Sequence, residues 1–114
     1  MAIRLFCKEP KVLDKKIKAA FDDGVFSDWK LDSDGDFTFV SEEWENTAWM
    51  RPKVLEDRIV FNILGAKSKS MTREVYAVYH CRFVEMLLSH FDTDFIRVTV
   101  TALPDKGDIL PTVD

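Results

Sequence analysis

A chain of 114 residues with 46% hydrophobic and 12% aromatic content fits one packed domain and excludes an intrinsically disordered segment. No apolar run approaches the length of a membrane span, and Arg4 and Lys8 interrupt any signal-peptide core, so a cytoplasmic protein without membrane insertion is expected. The net charge of −4 is unevenly spread: residues 22–45 hold nine acids (Asp22, Asp23, Asp28, Asp32, Asp34, Asp36, Glu42, Glu43 and Glu45) against one base, Lys30, leaving −8 there and +4 elsewhere. Such an acidic half disfavours nonspecific nucleic-acid binding and would suit a basic protein partner.

Ile3, Leu5 and Cys7 alternate with Arg4, Phe6 and Lys8, the pattern of a first strand. Pro10 opens a short helix whose apolar stripe is Leu13, Ile17, Ala20 and Phe21, and Gly24 stops it. Lys8, Lys11, Lys15 and Lys18 lie near one side of it. That basic stripe lacks aromatic residues for stacking bases and reads as a solvent face, with Asp14–Lys18 as a supporting pair.

Asp34-Gly35 between Trp29-Lys-Leu-Asp-Ser and Asp36-Phe-Thr-Phe-Val predicts a hairpin with a two-residue type I′ loop. In that register Phe37 and Phe39 share a face with Lys30 and Asp32, opposite Trp29, Leu31 and Val40. The Asp32-Ser-Asp-Gly-Asp run resembles the opening of a calcium loop, but the glycine and glutamate spacing fails, and turn chemistry accounts for it. Two further strands are expected over residues 48–54 and 58–64, turning at Glu56-Asp57, with Pro52 marking an edge or a break. Trp29, Trp44 and Trp49 fall close together in sequence, and Trp44, among acids, is the hardest to place in a core.

Gly65-Ala-Lys-Ser-Lys-Ser leads into a long helix over residues 71–90, with Ser70 as its expected N-cap. Lys67, Ser68, Lys69, Ser70 and Arg73 at that N-terminus form the best candidate for a small anionic ligand, phosphate or carboxylate, although the phosphate-loop pattern is absent. The helix is apolar on two sides. Met71, Val75, Tyr76, Tyr79, Phe83, Met86 and Leu87 make a broad face, and Ala77, Cys81, Val84 and Leu88 a second arc.

His80 and Cys81 are neighbours and point about 100° apart on a helix, so they make no catalytic dyad. Cys7 and Cys81 read as two buried, reduced thiols. His90, Asp92 and Asp94 could ligate a metal, but a helix end and a turn use the same residues. A last strand shows Ile96, Val98, Val100 and Ala102 on one face, with Arg97, Thr99 and Thr101 on the other.

The order β-α-β-β-β-β-α-β points to a single α+β domain over residues 1–103, a mostly antiparallel sheet with both helices on one face, followed by an irregular tail over 104–114. No nucleophile or acid/base arrangement stands out, and no cofactor or metal is implied. The expected function is a non-enzymatic interaction module, a homodimer joined through Ala77, Cys81, Val84 and Leu88, with Trp44 and Trp49 facing a further partner. The alternative is the anion binder.

Overall fold

A computed structural model describes residues 2–41, 43, 44 and 46–110. The elements are β1 (Ala2–Phe6), α1 (Pro10–Asp22), β2 (Trp29–Leu31), β3 (Phe37–Phe39), β4 (Ala48–Val54), β5 (Arg58–Gly65), α2 (Arg73–Phe91) and β6 (Arg97–Val100). The order and type of every element follow the sequence pattern. One six-stranded sheet results, ordered β2-β3-β4-β5-β1-β6, and every neighbouring pair of strands runs antiparallel.

The alternation of side chains across the sheet decides which face the helices cover. Ile3 and Leu5 stand opposite Phe61 and Ile59, and Met50 stands opposite Ile63. All six are buried, in one cluster with Leu13 and Ile17 of α1 and Tyr79, Phe83 and Leu87 of α2. Both helices therefore press on the same face. Trp29, Phe37, Phe61 and Phe83 form an aromatic spine through this layer, with the Phe61 and Phe83 rings 4.8 Å apart and Trp29 edge-on to Phe83 at 5.1 Å. The opposite face is open and carries Arg4, Arg51, Lys53 and Asn62, none of them buried.

Three local expectations are corrected. The first hairpin pairs Trp29 with Phe39 and Leu31 with Phe37, so these four share one face, and Phe37 does not lie with Lys30 and Asp32. The cause is the loop. Gly35 has φ +85° while Asp34 does not enter the left-handed region, and Gly35 N–H donates to the Asp32 carbonyl at 3.2 Å. This is a three-residue loop, a type I turn closed by a left-handed glycine, and the extra residue shifts the register by one side chain.

Helix α2 is capped by Thr72, whose hydroxyl accepts from the Val75 N–H at 3.2 Å, rather than by Ser70. Cys81 is exposed and Cys7 is buried, so the two thiols are not alike. Pro52 sits within β4 at a point where β3 no longer pairs, because the β3–β4 register contains only Phe37 opposite Met50. The strand is internal to the sheet yet locally an edge at the proline, which has no N–H to donate.

Among the described residues after β6, 101–110, there is no helix or strand, but the segment is held. Ile109 bridges Leu64 in parallel, the Gly65 N–H donates to the Ile109 carbonyl at 2.8 Å, and the Ile109 N–H to the Ile63 carbonyl at 3.0 Å. It prolongs the sheet beyond Ala2, where β1 begins opposite Asn62. Gly107 packs closely there: a Cβ at that position would overlap the Asn62 carboxamide, which would have to shift.

Candidate functional site

A cleft of about 600 Å³ opens where the β2–β3 turn, β4 and the loop after β5 meet. Asp32, Asp34 and Asp36 form one wall, Lys67 and Ser68 another, and Trp49, Arg51, Leu64 and Ile109 also line it. Trp49 stands opposite Leu64 in the β4–β5 ladder, which gives the cleft a half-buried apolar patch.

The acidic wall is organised by the turn. Asp32 Oδ1 accepts from the backbone N–H groups of Asp34 and Asp36, each at 2.9 Å. Asp36 is buried, and its carboxylate takes both Arg51 Nε (3.0 Å) and Arg51 Nη2 (2.9 Å), a bidentate pair joining strand β4 to the turn. That bond is the main reason the Arg51 guanidinium is held above its usual range, with the neighbouring Asp34 and Asp32 charges adding to it. Asp32, Asp34 and Asp36 present oxygens within 4.8 Å of one another. Among the described residues, Asp32 takes part in the turn's own hydrogen bonds and Asp36 in the Arg51 pair.

The five residues expected to hold an anion do not converge. Lys67 and Ser68 line the cleft, whereas Lys69, Ser70 and Arg73 lie exposed outside it along the approach to α2. Across the cleft from Lys67 stand carboxylates, so the field there is mixed in sign. An anion would meet Asp32 and Asp34 as well as the lysine.

The six residues expected at an interface divide. Ala77, Cys81 and Leu88 are exposed on α2, while Val84 is half-buried against the core. Trp44 is half-buried and packs on the core, and its carbonyl accepts the Tyr79 hydroxyl at 2.7 Å. Trp49 is half-buried in the cleft. Of the acids around Trp44, Glu42 and Glu45 lie outside the described residues.

The remaining candidates separate in the same way. His80 is buried and its Nδ1 lies 2.8 Å from the Tyr76 carbonyl one turn earlier, a core histidine and not a base for Cys81. Burial, first, and the Asp57 charge, second, push the Cys7 thiol up, away from a reactive thiolate. His90 packs edge-on against Phe26 at 4.8 Å, and Asp94 pairs with Lys16 at 2.7 Å. Lys18 pairs with Asp14 at 3.1 Å.

Sequence reasoning missed the Asp36–Arg51 pair, because fifteen residues separate partners that only the sheet register brings together. It also missed where β6 lies. This strand is an outer edge: on its helix side Val98 is half-buried and Val100 is 47% exposed, and Ile96 just before it is 63% exposed. Of the alternation expected over residues 96–102, the register covers 97–100 and agrees with it there, and the alternation said nothing of what covers that face. Comparisons with protein-family models, curated proteins and solved structures return no match.

Proposed function

We propose that the protein is a non-enzymatic interaction module that associates with itself and acts in the cytoplasm. The observation that carries this reading is the crowding of exposed apolar side chains around the last strand: Ile96, Val100 and Leu103, the last 78% exposed, lie within eight residues. Soluble domains expose single apolar residues routinely, but several of them on and beside a strand with an open outer edge favour a covering partner. The α2 strip of Ala77, Cys81 and Leu88 offers a second, thinner apolar surface of the same kind. Two unpaired thiols, one of them exposed, fit a reducing compartment.

The acidic turn with Trp49 suits a basic segment of a further partner, since Asp32 and Asp34 are not neutralised by the Arg51 pair as Asp36 is. The anion-binding alternative is weaker because only two of its five residues meet, and they face carboxylates. Light scattering over a concentration series tests self-association, and a monomer at the highest concentration removes it. Thermal shift against inorganic phosphate tests the alternative, which predicts a raised melting temperature.

A further inference from the structure

The sheet has two outer edges, and only one is guarded. Strand β2 is three residues long, centred on exposed Lys30 and flanked by Asp28 and Asp32, the short charged edge that discourages pairing. Strand β6 has no such device. Its single charge, Arg97, lies over the Phe6 ring at 4.1 Å on the helix-free face. No proline interrupts residues 95–103.

The hydrogen-bond phase shows which groups this edge offers. Ile3 pairs with Val100 and Leu5 with Val98, and the Thr101 N–H donates to the Ala2 carbonyl at 3.0 Å. Thr101 and, two residues back, Thr99 therefore turn their backbone groups towards β1. Val98 and Val100 turn theirs outward. Their side chains point to the helix side, where Val98 packs half-buried against the rim of the core and Val100 is 47% exposed.

We propose that a second copy of this chain pairs antiparallel along β6, with a twofold axis at Thr99, joining two six-stranded sheets into one. The proposal rests on the self-association reading and assigns its surface. The segment Val98-Thr99-Val100 reads identically in both directions, so a twofold axis at Thr99 sets valine against valine and threonine against threonine. In this register Val98 of each copy faces Val100 of the other, and the outward backbone groups of both valines form the ladder. Thr99 faces Thr99 as a pair without hydrogen bonds, and threonine pairs suit that position. Each Arg97 falls opposite a Thr101, which keeps the two cations apart. A register centred on Arg97 would set them face to face, and a shift by one residue would oppose outward groups to inward ones and valine to threonine. Val12, Ile96 and Leu103 beside the edge supply apolar area that a four-residue strand alone lacks.

The test uses the full chain in light scattering together with two variants. Val98→Pro removes an outward N–H together with a half-buried side chain, and circular dichroism checks that the fold survives; Val100→Lys, at a half-exposed position, serves if it does not. Thr99→Cys in a Cys81→Ser background should cross-link under mild oxidation, because such pairs bring Cα atoms to about 4.5 Å. The expected result is a dimer that either edge variant converts to monomer and that Thr99→Cys locks covalently. A dimer untouched by the edge variants, or one whose Thr99→Cys form resists cross-linking, overturns the β6 assignment and leaves self-association standing. A monomer at every concentration overturns both.

Discussion

Ile3 and Val100 stand opposite each other in neighbouring strands and point to the same face of the sheet, yet Ile3 is fully buried and Val100 is 47% exposed. The helix layer ends between them. Truncating the two should therefore give different costs. Ile3→Ala should lose about 2–5 kcal/mol, the usual range for emptying a packed aliphatic site. Val100→Ala should fall within about 0.5 kcal/mol of the parent for the monomer. Urea unfolding at a concentration that keeps the chain monomeric measures both, and equal costs would place a cover over Val100.

The Asp36–Arg51 pair is the strongest polar tie in the cleft. Arg51→Met should destabilise the fold by about 1.5–3 kcal/mol, because it leaves a buried carboxylate without its charged partner. Adding Asp36→Asn should return part of that loss, since the orphaned charge is then gone. Arg51→Lys should recover less than the parent value because an ammonium cannot reproduce the fork. If all three variants melt with the parent, the pair is solvent-screened and contributes nothing.

Much of the architecture was legible before any coordinates. The two periods, 2 in strands and 3.6 in helices, located all eight elements, and residues 97–100 already showed which side chains share a face. What the sequence hid was relational. The Asp34-Gly35 turn admits two loop lengths that differ by one residue, and that difference moves Phe37 and Phe39 to the other face. Thr72 and Ser70 are equally good caps by chemistry, and only the backbone entering α2 chooses Thr72. The position of β6 at an edge follows from β1 taking the inner place beside β5, and no local pattern encodes a strand order.

Gly107 should prove intolerant of a side chain. Gly107→Ala would push a methyl into the Asn62 amide, which is itself held by Asp108 at 3.0 Å. A loss of about 1–2 kcal/mol is expected, as for modest overpacking. Asn62→Ala removes the obstacle, so the second substitution should cost less in that background. A full cost in both backgrounds, read by a double-mutant cycle, would contradict this account of the glycine.

Asp108 and Tyr76 each contribute a pH-dependent part of the stability, one on the acid side and one on the alkaline side. Burial pushes the Asp108 carboxyl up, but hydrogen bonds from the Asp105 N–H, the Asn62 amide and the Ile63 N–H outweigh it and hold the group below its usual 3.8. Its contribution is therefore present above pH 3.8 and lost as pH falls through the lower folded value. Tyr76 is pushed from 10.0 up to about 12, by burial first and by the Asp108 charge second. The folded state holds that proton more tightly than the unfolded chain, so the contribution of Tyr76 is intact below pH 10.0 and declines between 10.0 and about 12. Melting temperature against pH should show both limbs. Tyr76→Phe should flatten the alkaline one and spare the acid one, and an unchanged alkaline limb would exclude Tyr76 as its cause.

Leu88 tests whether the α2 strip takes part in self-association. Leu88→Glu should leave monomer stability within about 0.5 kcal/mol, as an exposed helix position allows. It should also leave the molar mass in light scattering unchanged, because the contact runs along β6. A fall to monomer with this variant would move the interface to the helix.

The most direct measurement is the molar mass of the parent chain and of Val98→Pro, side by side, across one concentration series. The parent should approach twice 13.2 kDa while the variant stays at 13.2 kDa with its circular dichroism unchanged. Equal masses for the two at every concentration would contradict the β6 contact.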